Sequence, residues 1–137
     1  MKLITRDTDY AIRAMCVIAK RKDKVVSVKD LTDYLKVPRP FLRKILQILN
    51  KRGLLKSYKG IGGGFTIALS PKKISLVKLI EVFQGPIRLS EHKLKKKICP
   101  EAKICLLKKR LDNIEKYVKA RLEAITLETL IEEAGRI

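Results

Sequence analysis

The chain has 137 residues, and its 32 lysines and arginines against 14 aspartates and glutamates leave a formal net charge of +18. This charge attracts polyanions, and the apolar fraction of 46% suffices for the core of one domain with or without an extension. Because no apolar run approaches the ~20 residues of a spanning helix and the N-terminus lacks the apolar core of a signal peptide, we expect a cytoplasmic protein with no membrane partner.

The spacing of apolar residues predicts a first helix over residues 8–20. Ala11, Met15 and Ile18 fall on one face of this helix, and Cys16 lies beside them as a small core residue. A second, short helix is predicted to begin at Ser27, because Ser27 and Asp30 have the spacing of a capping box.

A third helix, predicted to run to about residue 50, has a basic N-terminal face. Pro40 suits its first turn, Arg39 and Arg43 stand four positions apart, and Lys44 lies beside them. Its opposite face carries an apolar stripe made of Leu42, Ile45, Leu46 and Leu49. Two short helices joined by a tight turn, the second of them basic, predict a helix-turn-helix. For the third helix alone, a solvated charged face is the alternative interpretation.

Glycines concentrate in the stretch LLKSYKGIGGGFTIAL, residues 54–69. Glycines between two strand-like runs predict a hairpin, and a hairpin directly after a helix-turn-helix predicts a winged helix. An ATPase phosphate loop is excluded, since it would end in Gly-Lys-Ser/Thr and open a helix. A turn needs at most two such residues, so the surplus indicates close backbone approach to another group, such as a phosphate; a bare flexible hairpin is the alternative. The predicted nucleic-acid contacts are Ser27, Arg39, Pro40, Arg43, Lys44, Lys56, Tyr58, Lys59, Gly60, Gly62 and Gly63.

The last part of the chain is predicted to hold a fourth helix, capped by Ser75 and stopped by Gly85, then a loop over residues 86–104 and a long helix over 105–125. The apolar stripe of the long helix consists of Leu107, Leu111, Ile114, Val118, Leu122 and Ile125. Such a stripe usually meets a partner helix, and burial within the same chain is the alternative. Thr126 is predicted to cap a short terminal helix. We therefore expect a DNA-binding unit over residues 1–85, a lysine-rich loop over 86–104 and a dimerisation region over 105–137.

Four motifs together resemble the Rrf-type family of winged-helix transcription regulators, which includes IscR, NsrR and CymR. They are the opening TDYAIRAM, the wing GIGGGF with its Leu-Ser-Pro exit, the segment ISLVKLIEVFQGP and the closing ITLETL. The resemblance covers nearly the whole chain. It implies a mainly α fold with a small β wing, and a homodimer that is held by the long helix and binds a palindromic double-stranded DNA operator.

The resemblance also implies that the loop over residues 86–104 is a sensor that carries a cluster. Cluster-binding members of the family share a loop of three cysteines separated by five residues each, and Cys99 and Cys105 match the second and third places. The first place falls on Lys93, and the neighbouring His92 is the candidate substitute. Asp9 matches the first-helix aspartate that completes the site in the NsrR branch. The implied cofactor is a labile iron–sulfur cluster, possibly two-iron, since such clusters accept mixed ligation.

These observations predict a homodimeric DNA-binding regulator that senses redox state, iron–sulfur status or nitric oxide. One alternative is a cofactor-free or thiol-based repressor that resembles CymR, and another is a basic RNA-associated winged-helix protein. An enzyme is not expected, because the chain has no Ser/His/Asp set, no paired catalytic carboxylates, no nucleotide fingerprint and a single histidine.

Overall fold

Six α-helices and one β-hairpin make up residues 2–89 and 106–135, the part of the chain that the computed structural model describes. The elements are α1 (Arg6–Lys20), α2 (Val28–Leu35), α3 (Arg39–Lys51), β1 (Leu55–Tyr58), β2 (Gly64–Ile67), a 3₁₀ turn (Pro71–Lys73), α4 (Leu76–Gln84), α5 (Leu106–Glu123) and α6 (Leu127–Ala134). This order confirms the predicted fold class, a winged helix-turn-helix followed by C-terminal helices. No helix in the described ranges is long and apolar enough to cross a membrane.

Helix α1 begins two residues before its predicted start. Thr5 adopts an extended backbone, and its hydroxyl accepts a hydrogen bond from the N–H of Thr8, which satisfies a donor of the first turn. Met15 and Ile18 are buried on the predicted face. Cys16 lies half-buried at the edge of the core and packs against it.

The helix-turn-helix forms as predicted, with one correction at its start. The Ser27 hydroxyl accepts from the N–H of Asp30 at 3.0 Å, but within the described residues the Asp30 carboxylate makes no reciprocal bond, so the capping box is wrong. Helix α2 ends because Lys36 takes a left-handed conformation with φ of 59°. Pro38 then precedes α3, so that a turn of three residues joins the two helices.

One core lies beneath the helix-turn-helix, and it includes the C-terminal helix. The α3 stripe packs there against α1 and β1, and Leu127 of α6 is fully buried in the same cluster. Fully buried members of this core include Met15, Leu31, Leu42, Leu46, Leu49, Leu54, Ile74, Leu79 and Leu127. The orientation of α3 is therefore determined by its apolar face.

The wing is an antiparallel pair of strands with a third backbone partner. Lys56 pairs with Thr66, and Ser57 pairs with Phe65. Phe65 also exchanges two backbone hydrogen bonds of 2.9 Å with Val26, which directly precedes the cap of α2. The wing is thus attached to the start of the helix-turn-helix.

The long helix is shorter than predicted at its C-terminal end. Ile125 lies beyond the last residue of α5, and its carbonyl accepts from the N–H of Leu76 at 2.9 Å. Leu127 in turn donates to the carbonyl of Ile74 at 2.9 Å. Ile125 therefore lies outside the helix, next to an antiparallel bridge between Ser75 and Thr126. Thr126 caps α6 as predicted, in a capping box with Thr129.

Candidate nucleic-acid interface

A groove separates the first turns of α2 and α3 from the wing. Its volume is about 590 Å³, and we call it the wing groove. Four basic side chains line it: Lys29, Arg39, Arg43 and Lys59. The remaining lining residues are Ser27, Val28, Gln47, Asn50, Ser57, Tyr58, Gly60, Gly63, Gly64 and Phe65.

Helical periodicity explains why α3 presents a polar face to the groove. Arg39, Arg43, Gln47 and Asn50 recur at spacings of four, four and three, so they share one face. The opposite face is anchored in the core through Leu42, Ile45, Leu46 and Leu49, all of which are buried. Because the buried face cannot rotate out of the core, the basic face has a defined direction.

The wing glycines have two structural causes. Gly60 and Gly62 have φ of 90° and 77°, and a Cβ at either position would meet no atom within 4 Å, so backbone conformation accounts for them. Gly63 and Gly64 are close-packed, and Gly64 also has a positive φ of 156°. A Cβ at Gly63 would overlap the carbonyl oxygen of Tyr58, and one at Gly64 would overlap the carbonyl oxygen of Val26. At Gly63 and Gly64 the close approach is therefore made to the backbone of the chain itself, and the approach of the wing to a phosphate stays a prediction.

The groove brings together seven of the eleven residues predicted to contact nucleic acid. They are Ser27, Arg39, Arg43, Tyr58, Lys59, Gly60 and Gly63. Pro40 and Lys44 lie exposed in the first two turns of α3, and Gly62 lies near the wing tip. Lys56 lies on the other face of the wing, because strand neighbours alternate and Ser57 occupies the groove face.

Four polar residues that line the groove are not among the predicted contacts: Lys29, Gln47, Asn50 and Ser57. Asn50 continues the helical row of Arg43 and Gln47, and Ser57 follows from the period of two in β1, so both were accessible to pattern analysis. Lys29 lies in the first turn of α2. Only the relative placement of α2 and the wing, which is not local in sequence, brings Lys29 to the groove.

Among the described residues, the cations of the groove have no acidic partner. The ion pairs in this part of the chain are Arg13–Asp9, Lys108–Asp112 and Lys119–Glu81. None of these involves Lys29, Arg39, Arg43 or Lys59. Four such cations facing one concave surface can neutralise phosphates, which form most of the hydrogen-bonded contacts in protein–DNA complexes.

The predicted dimer stripe of α5 divides into an exposed and a covered part. Leu107 is 65% exposed and Ile114 is 51% exposed, whereas Leu111 and Val118 are half-buried. Leu122 packs within its own chain against a small cluster made of Val77, Ile80 and Ile87. No residue of α5 is buried, so the apolar surface of this helix is available for a partner mainly through its first two-thirds.

Of the four candidate cluster ligands, only Asp9 belongs to the described residues. Its carboxylate lies 3.1 Å from Nε of Arg13, with side-chain exposures of 46% for Asp9 and 63% for Arg13. Such exposed ion pairs contribute little stability, so Asp9 can exchange this partner for a metal at small cost. His92, Cys99 and Cys105 lie outside the described residues. With Asp9 they would make four donors, two of them thiolates, which fits the ligand number of a two-iron cluster.

Comparison with known proteins identifies a family over nearly the whole chain. The Rrf2 family, described as "Iron-dependent Transcriptional regulator", matches residues 4–133. A protein of Aquifex aeolicus, named as an HTH-type transcriptional regulator, is 31% identical over 124 residues, which are 89% of this chain and 86% of that protein. The regulator NsrR of Bacillus licheniformis is 29% identical over 133 residues, which cover 96% and 92% of the two chains.

Among solved structures, CymR, the global cysteine regulator of B. subtilis, is similar in fold and length. Its TM-score is 0.79 at 28% identity, with 97% of this chain and 98% of that chain covered. This match extends through the C-terminal helices, so the similarity includes the long helix as well as the wing.

Proposed function

We propose that this chain, which belongs to the Rrf2 family of DNA-binding transcriptional regulators, acts in the cytoplasm as a homodimer on a palindromic DNA operator. The family is one of regulators and not of enzymes, which agrees with the expectation from the sequence. Within this function, residues 1–85 bind DNA, 86–104 carry the sensor and 105–137 hold the dimer.

The observation that carries the proposal is the wing groove. It holds the basic face of α3 and the wing on two sides of one concave surface, with four cations and no acidic side chain among its lining residues. We infer that the first turns of α3 enter the major groove, where Arg39, Arg43 and Lys44 reach base edges. The wing, through Tyr58 and Lys59, then lies along the sugar-phosphate backbone.

The Ser27 hydroxyl and the backbone of the wing tip complete the proposed phosphate contacts. Ser27 caps α2 with its oxygen as acceptor, which leaves its hydroxyl proton available to a phosphate. Gly60 and Gly62 present bare backbone at the wing tip, because neither has a side chain and a Cβ at either position would meet no atom within 4 Å. These contacts set the register of the domain without reading sequence. Lys56, on the other face of the wing, stands outside this set of contacts.

The dimer is proposed to form through the exposed part of the α5 stripe. The large exposure of Leu107 and Ile114 supports this, since neighbouring apolar side chains on one helix face are usually covered by a partner. An isologous two-fold contact between two such helices would present two copies of α3. Their half-sites are then expected about 34–36 Å apart, one turn of DNA.

For the sensor, we propose that Cys99 and Cys105 hold a labile iron–sulfur cluster, with His92 and Asp9 as the remaining ligands. The family description as iron-dependent and the four-donor count support this assignment. When bound, the cluster supplies a redox-active group whose potential depends on its ligands. The competing assignment, a thiol-based or cofactor-free regulator, draws support from the likeness to CymR.

The DNA proposal is tested by selection from a pool of random-sequence duplexes. We expect a palindrome to be enriched, and expect the protein to bind it more tightly than a scrambled duplex or a structured RNA at equal salt. Equal salt is required because unspecific charge contributes to all three affinities. Equal affinities for the duplexes and the RNA would contradict the proposal and favour an RNA-associated protein.

The sensor proposal is tested by anaerobic reconstitution with iron and sulfide. The wild-type protein should bind more iron and sulfide, and absorb more visible light, than the double variant Cys99→Ala/Cys105→Ala. The variant Cys16→Ala is the matched control, because it removes a cysteine outside the proposed site. Equal iron contents in wild type and double variant would leave the thiol-based or cofactor-free regulator as the assignment.

A further inference from the structure

The wing separates two concave surfaces that carry positive charge. Neighbouring residues of a strand point to opposite faces, so Ser57 and Phe65 line the wing groove while Lys56 and Thr66 line a cleft on the outer side. Tyr58 borders both surfaces. We call the second surface the outer cleft; Lys56, Thr66, Arg21, Lys22 and Pro71 are among its lining residues.

The outer cleft has the chemistry of a phosphate-binding surface. Its volume is about 610 Å³, and it brings the cations Arg21, Lys22 and Lys56 together with a single acidic residue, Asp23. No ion pair between described residues involves these cations. Cations at the end of α1 are favoured by the helix dipole, which accounts for Arg21 and Lys22. It does not account for Lys56, which enters the cleft from the wing.

The turn that carries two of these cations is held in place by its backbone. The N–H of Arg21 donates to the carbonyls of Val17 and Ile18 at 3.3 and 3.2 Å, and the Arg21 carbonyl accepts from Lys24 at 3.1 Å. Asp23 completes the turn with a left-handed φ of 62°. The backbone is therefore ordered before any ligand binds, which lowers the entropic cost of binding.

We propose that the outer cleft binds the backbone of duplex DNA that flanks the operator half-site. The inference rests on the proposed function, because the wing groove must already hold the half-site. A sheet with its side chains is about 10 Å thick, which corresponds to about three base pairs at 3.4 Å each. The flanking phosphates are therefore about three base pairs beyond those that the wing groove contacts.

The experiment compares two duplexes that share the sequence selected by the wild-type protein. One duplex ends with the selected palindrome, and the other continues through mixed-sequence flanks long enough to pass the wing. Wild-type protein should bind the extended duplex more tightly, with a salt slope steeper by up to about 2.7 for each protomer, since the cleft holds three cations and each neutralised phosphate contributes about 0.9. Fluorescence anisotropy over a salt series measures both quantities.

The variant Arg21→Gln/Lys22→Gln should lose most of the flank-dependent gain in affinity, because only Lys56 of the three cations remains. Lys56→Gln should reduce the flank-dependent gain by a smaller amount. The matched control Lys109→Gln/Lys116→Gln removes the same charge from exposed positions of α5, and it should keep the full gain. Loss of the gain in both double variants would mean that net charge alone is responsible, and it would overturn the inference.

The remaining outcomes separate the inference from the proposed function. If flanks add nothing to the wild-type affinity for a selected palindrome, the outer cleft does not bind DNA, and an acidic protein surface becomes its partner class. If no duplex is enriched at all, the proposed function itself fails and the inference fails with it. Retention of the full gain by Arg21→Gln/Lys22→Gln would also overturn the inference.

Discussion

The hydroxyl of Thr8 donates a hydrogen bond of 2.6 Å to Oε1 of Gln84, 76 positions further along the chain. The same oxygen accepts from the N–H of Thr5 at 2.9 Å, and the Gln84 amide donates to the carbonyl of Leu3 at 3.0 Å. One side-chain amide thus fastens the start of α1 to the end of α4. Thr8 is fully buried, so this polar contact lies at a point where water cannot replace it.

Removal of the amide should destabilise the protein more than removal of the hydroxyl. Gln84→Leu leaves the Thr8 hydroxyl with only its 3.1 Å contact to the Thr5 hydroxyl, and it also removes the bonds to the Thr5 N–H and the Leu3 carbonyl, which should cost about 1–3 kcal/mol. Thr8→Val should cost only about 0.5–1.5 kcal/mol, because Oε1 keeps its bond to Thr5. Urea unfolding curves measure both values, and equal losses would contradict the assigned network.

The wing glycines should differ in their response to alanine. Gly62→Ala meets no neighbour and incurs only the cost of a left-handed residue, about 1–2 kcal/mol. Gly64→Ala should cost more and should displace the wing from Val26, because the new methyl group would overlap a backbone oxygen. Thermal unfolding of the two variants makes the comparison. A smaller loss in Gly64→Ala than in Gly62→Ala would show that the wing is not packed against Val26.

Arg43 and Lys59 should affect DNA binding in different ways. Arg43→Ala should cost about 1–3 kcal/mol on the selected operator and relax the preference at one base pair. Lys59→Ala should weaken binding to selected and scrambled duplexes alike and lower the salt slope by about 1 for each protomer. Equal losses of Arg43→Ala on both duplexes would exclude a role in sequence recognition.

A charge in the exposed part of the α5 stripe should prevent dimerisation. Ile114→Asp places a carboxylate where half of an apolar side chain is exposed, so the monomer should stay folded and lose operator affinity. Lys116→Asp is the matched control on the same helix, and it should remain dimeric. Light scattering gives the mass and circular dichroism the fold. A dimeric Ile114→Asp, or a monomeric wild type at micromolar concentration, would contradict the proposed interface.

Cys16 should make the free energy of unfolding depend on pH in the alkaline range. Burial raises the pKa of its thiol, although the charge of Lys20 opposes this. The unfolded chain therefore loses the thiol proton at a lower pH than the folded chain does. The free energy of unfolding should then fall as pH rises from the ordinary thiol pKa to the raised value. Unfolding curves of wild type and Cys16→Ser over this window measure the difference, and the variant should lack this part of the pH dependence.

Thiol labelling provides an independent check on Cys16. In the Cys99→Ala/Cys105→Ala variant it is the sole remaining cysteine, and iodoacetamide reacts with the thiolate form. Alkylation at a fixed alkaline pH should be slower in buffer than in urea. Equal rates would mean that the thiol is not shielded in the fold.

Local signals in the sequence predicted the helix bounds to within about two residues. They could not predict contacts between segments that are far apart in the chain. Helical spacing and the caps at Ser27, Ser75 and Thr126 depend on a few neighbouring residues, and all three caps formed. The end of α5 was placed too late, because the pairing of Ile125 with Leu76 involves residues far apart in the chain. The family assigned from four motifs is confirmed by the match to residues 4–133.

Some features of the candidate site could likewise be predicted from local patterns, and others could not. The row of Arg39 and Arg43 followed from the helical period, and the glycine tip of the wing from turn chemistry. The alternation of β1 could also have separated Lys56 from the wing groove, since Ser57 follows it directly. By contrast, position 64 has no room for a side chain because the backbone of Val26, 38 positions away, lies against it. No local pattern carries that information.

The backbone pairing of residues 74–76 with 125–127 fixes the C-terminal end of α5, so any rotation of the helix is about that end. Glu115 accepts from the N–H of Leu89 at 2.9 Å, and Lys119 forms an ion pair with Glu81 at 3.5 Å. The backbone pairing holds the C-terminal end of α5. An 18-residue helix is about 27 Å long at 1.5 Å per residue. A tilt of α5 by about 5° about its paired C-terminal end would therefore move Leu106 by about 2 Å. A small rotation of α5 relative to the DNA-binding core therefore corresponds to a larger displacement of the first residues of α5.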